Sequence, residues 1–359
     1  MSTGRIAALD SLKFIFAIFI VLHHIFNIIY EKNLVFFSKY SFATSYLAVE
    51  GFFILSGFFL GASFYRRREE LKRAEEKANV FNGLILSKLK RIYPEFLFVL
   101  LLISLLKLCL GMKLPLTTFL FNFVLIADLR SLPYTVVGGS WYVTVMFWGT
   151  FFFAAILVFK DKVALNVILP LLFFLLIGSF LSVAGSVPIG ETPYWISGNM
   201  LRGLTGLVIG ILLFALCQFL AQKDLIASEK KKAAILWCFE LAAIIFSVKY
   251  LLKRYPSISD FSVYFTFSYL IALLYFGKEK LLKFLSSTKF EKLSGVSYSL
   301  FLTHIFVLEL AKKYVFENQS GGVNVIYIPL LVIVCVAFAF VCFHVQRLLF
   351  ARLKKWLAV

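Results

Sequence analysis

The sequence predicts an all-α polytopic membrane protein with about ten transmembrane helices and both termini in the cytoplasm. Three observations predict it. Of 359 residues, 61% are hydrophobic and 16% charged, and mean hydropathy is +0.90; a soluble domain carries about a quarter charged residues. Apolar runs recur from end to end, long enough to span a bilayer core that takes ~20 residues of helix to cross. Basic residues gather in alternate connecting segments. Arg66–Arg91, RRREELKRAEEKANVFNGLILSKLKR, holds nine of the 37 Lys and Arg, and such an excess marks the inner side.

Taken in order, the expected spans are 12–30, 46–65, 92–111, 141–159, 165–184, 199–220, 233–251, 261–277, 295–315 and 325–346. The first has basic residues ahead of an apolar core. No small-x-small cleavage pattern follows Leu22, so it reads as an uncleaved span. Between the third and fourth, LTTFLFNFVLIADL (Leu116–Leu129) is apolar but short, which favours an interfacial or re-entrant helix. Residues 1–346 thus form one transmembrane domain. Residues 347–359, RLLFARLKKWLAV, form a short basic amphipathic cytoplasmic tail on the inner membrane surface.

Net charge is +18. In a soluble protein that points to nucleic acid; here it belongs to basic loops meeting anionic membrane lipid, and no nucleic-acid partner is expected. Cys109, Cys217, Cys238, Cys335 and Cys342 all lie in apolar segments, with no Cys-x-x-Cys pair. Neither a disulfide framework nor a metal site is expected.

Ionisable groups inside spans are costly and so are functional candidates. In DSLKFIFAIFIVLHH, Lys13 and His24 are eleven residues apart, three helical turns and a little, so they share a face about 16 Å apart along the axis. That is too far for an ion pair and suits two ends of one lined cavity. Asp10 stands three residues before Lys13, as an N-cap or an i,i+3 partner. His23 points about 100° away from His24. In YLAVEGFFILSGFFL, Glu50 falls near the depth of His24 and can orient its imidazole. Ser56 and Gly57 share the Glu50 face, where small residues also permit close helix packing. In SKLKRIYPEF, Lys88 and Arg91 project together near the surface, a pair suited to phosphates or to plain inner-face charge; Pro94 is placed in the early turns of its helix. In LSGVSYSLFLTHIFVLEL, His304 is mid-span with Tyr298 six residues before it. It reads equally as a structural hydrogen-bonder or a second cavity residue. Arg202, Lys107, Glu240 and Lys249 read as snorkelling or paired. Trp141, Tyr142 and Trp148 look like an interfacial belt.

These pieces occur in order in a known family. RIAALDSLKFIFAIFIVLHH, EGFFILSGFFL, KLKRIYP and VSYSLFLTH together resemble the acyltransferase-3 family of integral membrane proteins, over nearly the whole chain. The resemblance implies transfer of an acyl group, usually acetyl, onto cell-envelope sugars. It places the family's proposed catalytic histidine on His24 and its basic partner on Lys13. The basic pair for acyl-CoA phosphates falls on Lys88 and Arg91, and the late histidine on His304. Two departures matter. The Arg-x-x-Arg element has lysine first, which weakens bidentate phosphate binding. SWYVTVMFWGT has no glutamate after its Trp, a role Glu50 can take. Many members also carry an esterase domain after the spans; none is expected in this chain, which would transfer directly or through a separate extracytoplasmic acyl-transfer partner.

The expected function is therefore a membrane O-acetyltransferase of the cell (plasma or inner) membrane. It would move an acyl group from cytoplasmic acetyl-CoA to a hydroxyl of an envelope glycan or lipid-linked sugar, without a metal. Expected catalytic residues are His24, Lys13 and Glu50; donor-binding residues are Lys88, Arg91 and Lys13. Asp10, Ser56, Trp141, Tyr298 and His304 are expected to line the cavity or support it. The main alternative is a glycan or lipid transporter, which also uses midplane polar residues. A structural or sensory subunit would need neither the imidazole nor the lysine.

Overall fold

A computed structural model describes the chain apart from residues 1–2, 32–40, 74, 128–134, 184–195, 223–229, 277–283, 318–323 and 358–359. The described residues are almost wholly helical. The long helices are α1 (Thr3–His24), α2 (Ala48–Arg66), α3 (Glu76–Cys109), α4 (Leu116–Phe123), α5 (Ser140–Phe159), α6 (Leu169–Val183), α7 (Gly198–Gln222), α8 (Lys230–Leu251), α9 (Ser262–Phe276), α10 (Thr288–Ala311) and α11 (Tyr327–Leu357). Among the described residues, nine helical segments are long and apolar enough to cross a membrane. They coincide with nine of the ten expected spans. α8 occupies the place of the seventh. α4 has eight residues, too short to cross.

Two helix ends differ from expectation. α3 starts at Glu76 and runs for 34 residues, so Pro94 is interior rather than early. Proline there leaves the Lys90 carbonyl without its helical donor, close to the basic pair. α11 is one uninterrupted helix to Leu357; the segment after 346 continues the last span instead of starting a new element.

Two parallel helix pairs build the centre. α2 lies along α7, with Glu50 against Arg202 and Gly57 against Leu207. The approach needs bare backbone: a Cβ on Gly57 would stand 2.1 Å from the Leu207 carbonyl oxygen, and one on Gly210 2.0 Å from that of Ile54. Glycines on facing helices let backbones touch where lipid gives no hydrophobic drive to associate. α1 lies along α10, fixed by His24 beside His304 and, farther on, Glu31 bonded to Lys312 at 2.8 Å. Both of these helices widen into π turns on the same side of the imidazoles, Ile25–Ile29 and Lys312–Phe316. Such turns recur at functional sites. The apolar core includes Phe16, Phe53 and Leu300 of α1, α2 and α10, with Phe96 of α3, Phe153 of α5, Leu207 of α7 and Phe267 of α9.

Candidate active site

One end of α1 carries charge. Asp10 and Lys13 form an i,i+3 ion pair, and Arg91 Nη2 reaches the same carboxylate oxygen at 3.5 Å. The Lys13 Nζ also lies 4.7 Å from the centre of the Phe59 ring, a cation–π position. Lys88 stands within electrostatic reach of both Lys13 and Arg91, and no carboxylate pairs with it among the described residues. Three cations from α1 and α3 therefore stand around one carboxylate, which pairs with two of them. Arg91 keeps 61% of its side chain exposed, so its fork is open to an anion. A cluster with two uncompensated positive charges has the chemistry to hold an anion such as a phosphate.

The other end of α1 carries the imidazoles. His24 lies between two rings, its centroid 5.1 Å from that of His23 and 5.0 Å from that of His304. His23 is tied at both nitrogens. Its Nδ1 is 3.0 Å from the Phe42 carbonyl, which needs a donor, and Asn27 Nδ2 donates to its Nε2 at 2.7 Å. His304 is 1% exposed and its Nδ1 lies 2.9 Å from the Leu300 carbonyl. His24 is partly exposed and makes no hydrogen bond among the described residues.

Glu50 is placed otherwise than at His24. Both its oxygens are engaged: Oε1 by Arg202 Nε at 2.6 Å and Nη2 at 2.5 Å, Oε2 by the Tyr264 hydroxyl at 2.7 Å. Glu50 is 0% and Arg202 2% exposed. The guanidinium also faces the rings of Tyr46 and Trp141, at 5.3 and 5.6 Å. The loop that supplies Tyr46 is clamped to the last carbonyls of α8. Thr44 Oγ1 donates to Tyr250 O at 2.7 Å, Ser45 Oγ to Leu251 O at 2.5 Å and Ser41 N to Leu252 O at 2.9 Å. Helix ends leave such carbonyls without partners of their own. Phe42 of the same loop receives His23, so one short loop positions both the imidazole neighbour and the arginine.

Polar groups step between the two ends. Ser56 shares a hydrogen bond with Tyr142. Tyr142 is buried and packed among Phe52, Phe53 and Phe301; Trp148 donates to Leu125 O at 2.8 Å. The Tyr298 hydroxyl donates to Ile92 O at 3.2 Å, two residues before Pro94. Ser299 donates to Glu95. Glu95 lies one helical turn, about 6 Å, beyond Arg91, and Ser299 about 7.5 Å before His304.

The structure thus joins Asp10, Lys13, Lys88 and Arg91 in one cluster, and His24 with His304 in another. Glu50 and Trp141 gather around Arg202, and Ser56 and Tyr298 lie between. Sequence reasoning did not single out Glu95 or Tyr264, read Tyr142 as part of an interfacial belt, and gave Arg202 only snorkelling or pairing. Glu95 did carry a signal, being a carboxylate inside a span four residues after a cation. Among the described residues, no group of three or more His, Cys, Asp or Glu could hold a metal ion.

The family model for the acyltransferase domain of the acyltransferase-3 type matches residues 6–344. This chain belongs to the acyltransferase-3 family. The match covers both clusters and runs from α1 into α11. The chain is a membrane acyltransferase, and the nine apolar helices among the described residues are its scaffold. No curated protein and no solved structure matches it.

Proposed function

We propose that this acyltransferase takes an acyl group, acetyl in the simplest case, from cytoplasmic acyl-CoA and places it on a hydroxyl of a cell-envelope glycan or lipid-linked sugar. The carrying observation is the arrangement along α1: an open cation cluster at one end and an unbonded imidazole at the other, about 16 Å apart. An extended pantetheine arm covers such a length. Acyl-CoA phosphates then sit on Lys88, Arg91 and Lys13, and the thioester reaches His24. The basic end faces the cytoplasm, both chain termini lie there, and the membrane is the plasma or inner membrane.

At the imidazole end, His24 takes the proton of the acceptor hydroxyl as that oxygen attacks the thioester carbonyl. Collapse of the tetrahedral intermediate breaks the carbon–sulfur bond. His24 returns the proton to the leaving sulfur, giving the ester and free CoA. Lys13 balances Asp10 and holds the donor end. Glu50 holds Arg202 and Tyr264 beside Trp141, where the acceptor enters. No metal is needed for these steps.

The test is purified protein in nanodiscs, with acetyl-CoA thioester loss and mass spectrometry of envelope glycans as readouts. His24→Ala abolishes both acetyl release and glycan acetylation at normal protein level. Unchanged acetylation in that variant rejects the proposal. A transporter would leave the thioester intact in the wild type as well.

A further inference from the structure

The expected orienting group for His24 was a carboxylate, and Glu50 is fully engaged elsewhere. The rings on either side of His24 are the remaining candidates. His23 offers nothing: one nitrogen donates to Phe42 and the other accepts from Asn27. His304 differs. Its Nδ1 faces a carbonyl, which can only accept, so the proton is on Nδ1. Its Nε2 then carries the lone pair. That atom is buried and has no hydrogen-bond partner among the described residues. A second proton there would leave a buried charge and a buried donor unpaired, at high cost. The unsatisfied group is an acceptor, in a ring packed against His24.

The spacing fits a bond between them. An in-line N–H···N bond of about 2.9 Å puts two imidazole centres about 5 Å apart. The centroids are 5.0 Å apart, with the planes tilted 50°. No hydrogen bond joins the rings as they stand. A turn of the His24 ring completes it, and His24 has no other bond among the described residues to hold it back.

We propose that His304 is the positioning residue for His24: its Nε2 accepts an N–H from His24, fixes the His24 tautomer, and so aims the opposite His24 nitrogen at the acceptor hydroxyl. This rests on His24 acting as the base. When His24 gains the hydroxyl proton, the N–H facing His304 becomes part of an imidazolium, and a hydrogen bond to a charged group is the stronger kind. A neutral imidazole thus does the orienting that a carboxylate does in a Ser-His-Asp triad.

The chain has four histidines, so 15N-histidine spectra are assignable by single substitutions. In the wild type, His24 should show one protonated and one unprotonated nitrogen in a single tautomer. Equal tautomer populations at His24 overturn the proposal without any variant having to fold. In His304→Phe the tautomers should mix, and kcat should fall about ten- to a hundred-fold with KM for acyl-CoA unchanged. His304→Gln, whose amide oxygen reaches the place of Nε2, should retain kcat within about tenfold of wild type; His304→Asn, which stops short, should not. If His304→Phe keeps wild-type kcat and an unchanged His24 spectrum, the pairing is wrong. Should His24→Ala abolish transfer even so, the base assignment stands and only the role of His304 falls.

Discussion

Replacing Glu50 by leucine separates stability from chemistry. The pair it forms with Arg202 is almost without solvent, at 0% and 2% exposure. Removing one partner of a buried pair leaves an uncompensated charge and costs about 3–5 kcal/mol. Arg202 still keeps the faces of Tyr46 and Trp141, worth about 0.5–2 kcal/mol, which places Glu50→Leu near the low end. At about 3 kcal/mol the unfolded population rises more than a hundred-fold. The Tyr264 hydroxyl loses its bond to Glu50 as well. Glu50→Gln keeps an amide oxygen for Tyr264 and should fall between. The double variant Glu50→Leu/Arg202→Met removes the stranded charge and should recover much of the loss. The assay is unfolding in mixed detergent micelles followed by tryptophan fluorescence, with acetyl-CoA turnover on the same samples. If Glu50→Leu is as stable as wild type but loses kcat, the reasoning is refuted and Glu50 works on the reaction itself.

Other outcomes follow from contacts of different kinds. Gly57→Ala should destabilise by about 1–3 kcal/mol, because its Cβ meets the Leu207 carbonyl. Gly178→Ala, with nothing within 4 Å of its Cβ, should leave the melting temperature unchanged or slightly raised. Lys88→Ala and Arg91→Ala should raise KM for acyl-CoA about tenfold each, with little change in kcat; the loss should shrink as salt rises. Equal KM in variant and wild type at low salt would place the donor elsewhere. Glu31 is held below the usual glutamate range, first by its hydrogen bond to Lys312 and then by that lysine's charge. Its contribution is complete above the unfolded-state value and fades as pH falls through the lower folded-state value. Glu31→Gln should therefore remove stability only above that window, and in high salt the difference should vanish.

The spans were legible because a bilayer imposes one strong rule: backbone must be satisfied within its own helix, so length and hydropathy suffice. Lys13 and His24 were legible for a related reason, since helical geometry alone puts residues eleven apart on one face. What side chains do across helices was not. Glu50 was read by depth, a turn below the outer surface, which put it level with His24. The choice between His24 and Arg202 as its neighbour depends on how α2 lies on α7, which glycines 150 residues away decide. Pro94 was misplaced because α3 continues far beyond its apolar part, where charge hides the helix from a hydropathy reading. Tyr142 looked interfacial by residue type, yet its hydrogen bond to Ser56 faces the core.

The two facing imidazoles come from opposite ends of the chain, α1 and α10. A ribosome delivers α1, α2 and α3 first, and with them the whole cation cluster. The second ring arrives some 280 positions after the first, from a helix that must slot in beside one already inserted. Under the proposed function, a partly made chain holds the cations for a polyanionic donor and lacks the second imidazole of the reaction centre. The order of synthesis then withholds the chemistry until α10 is in place.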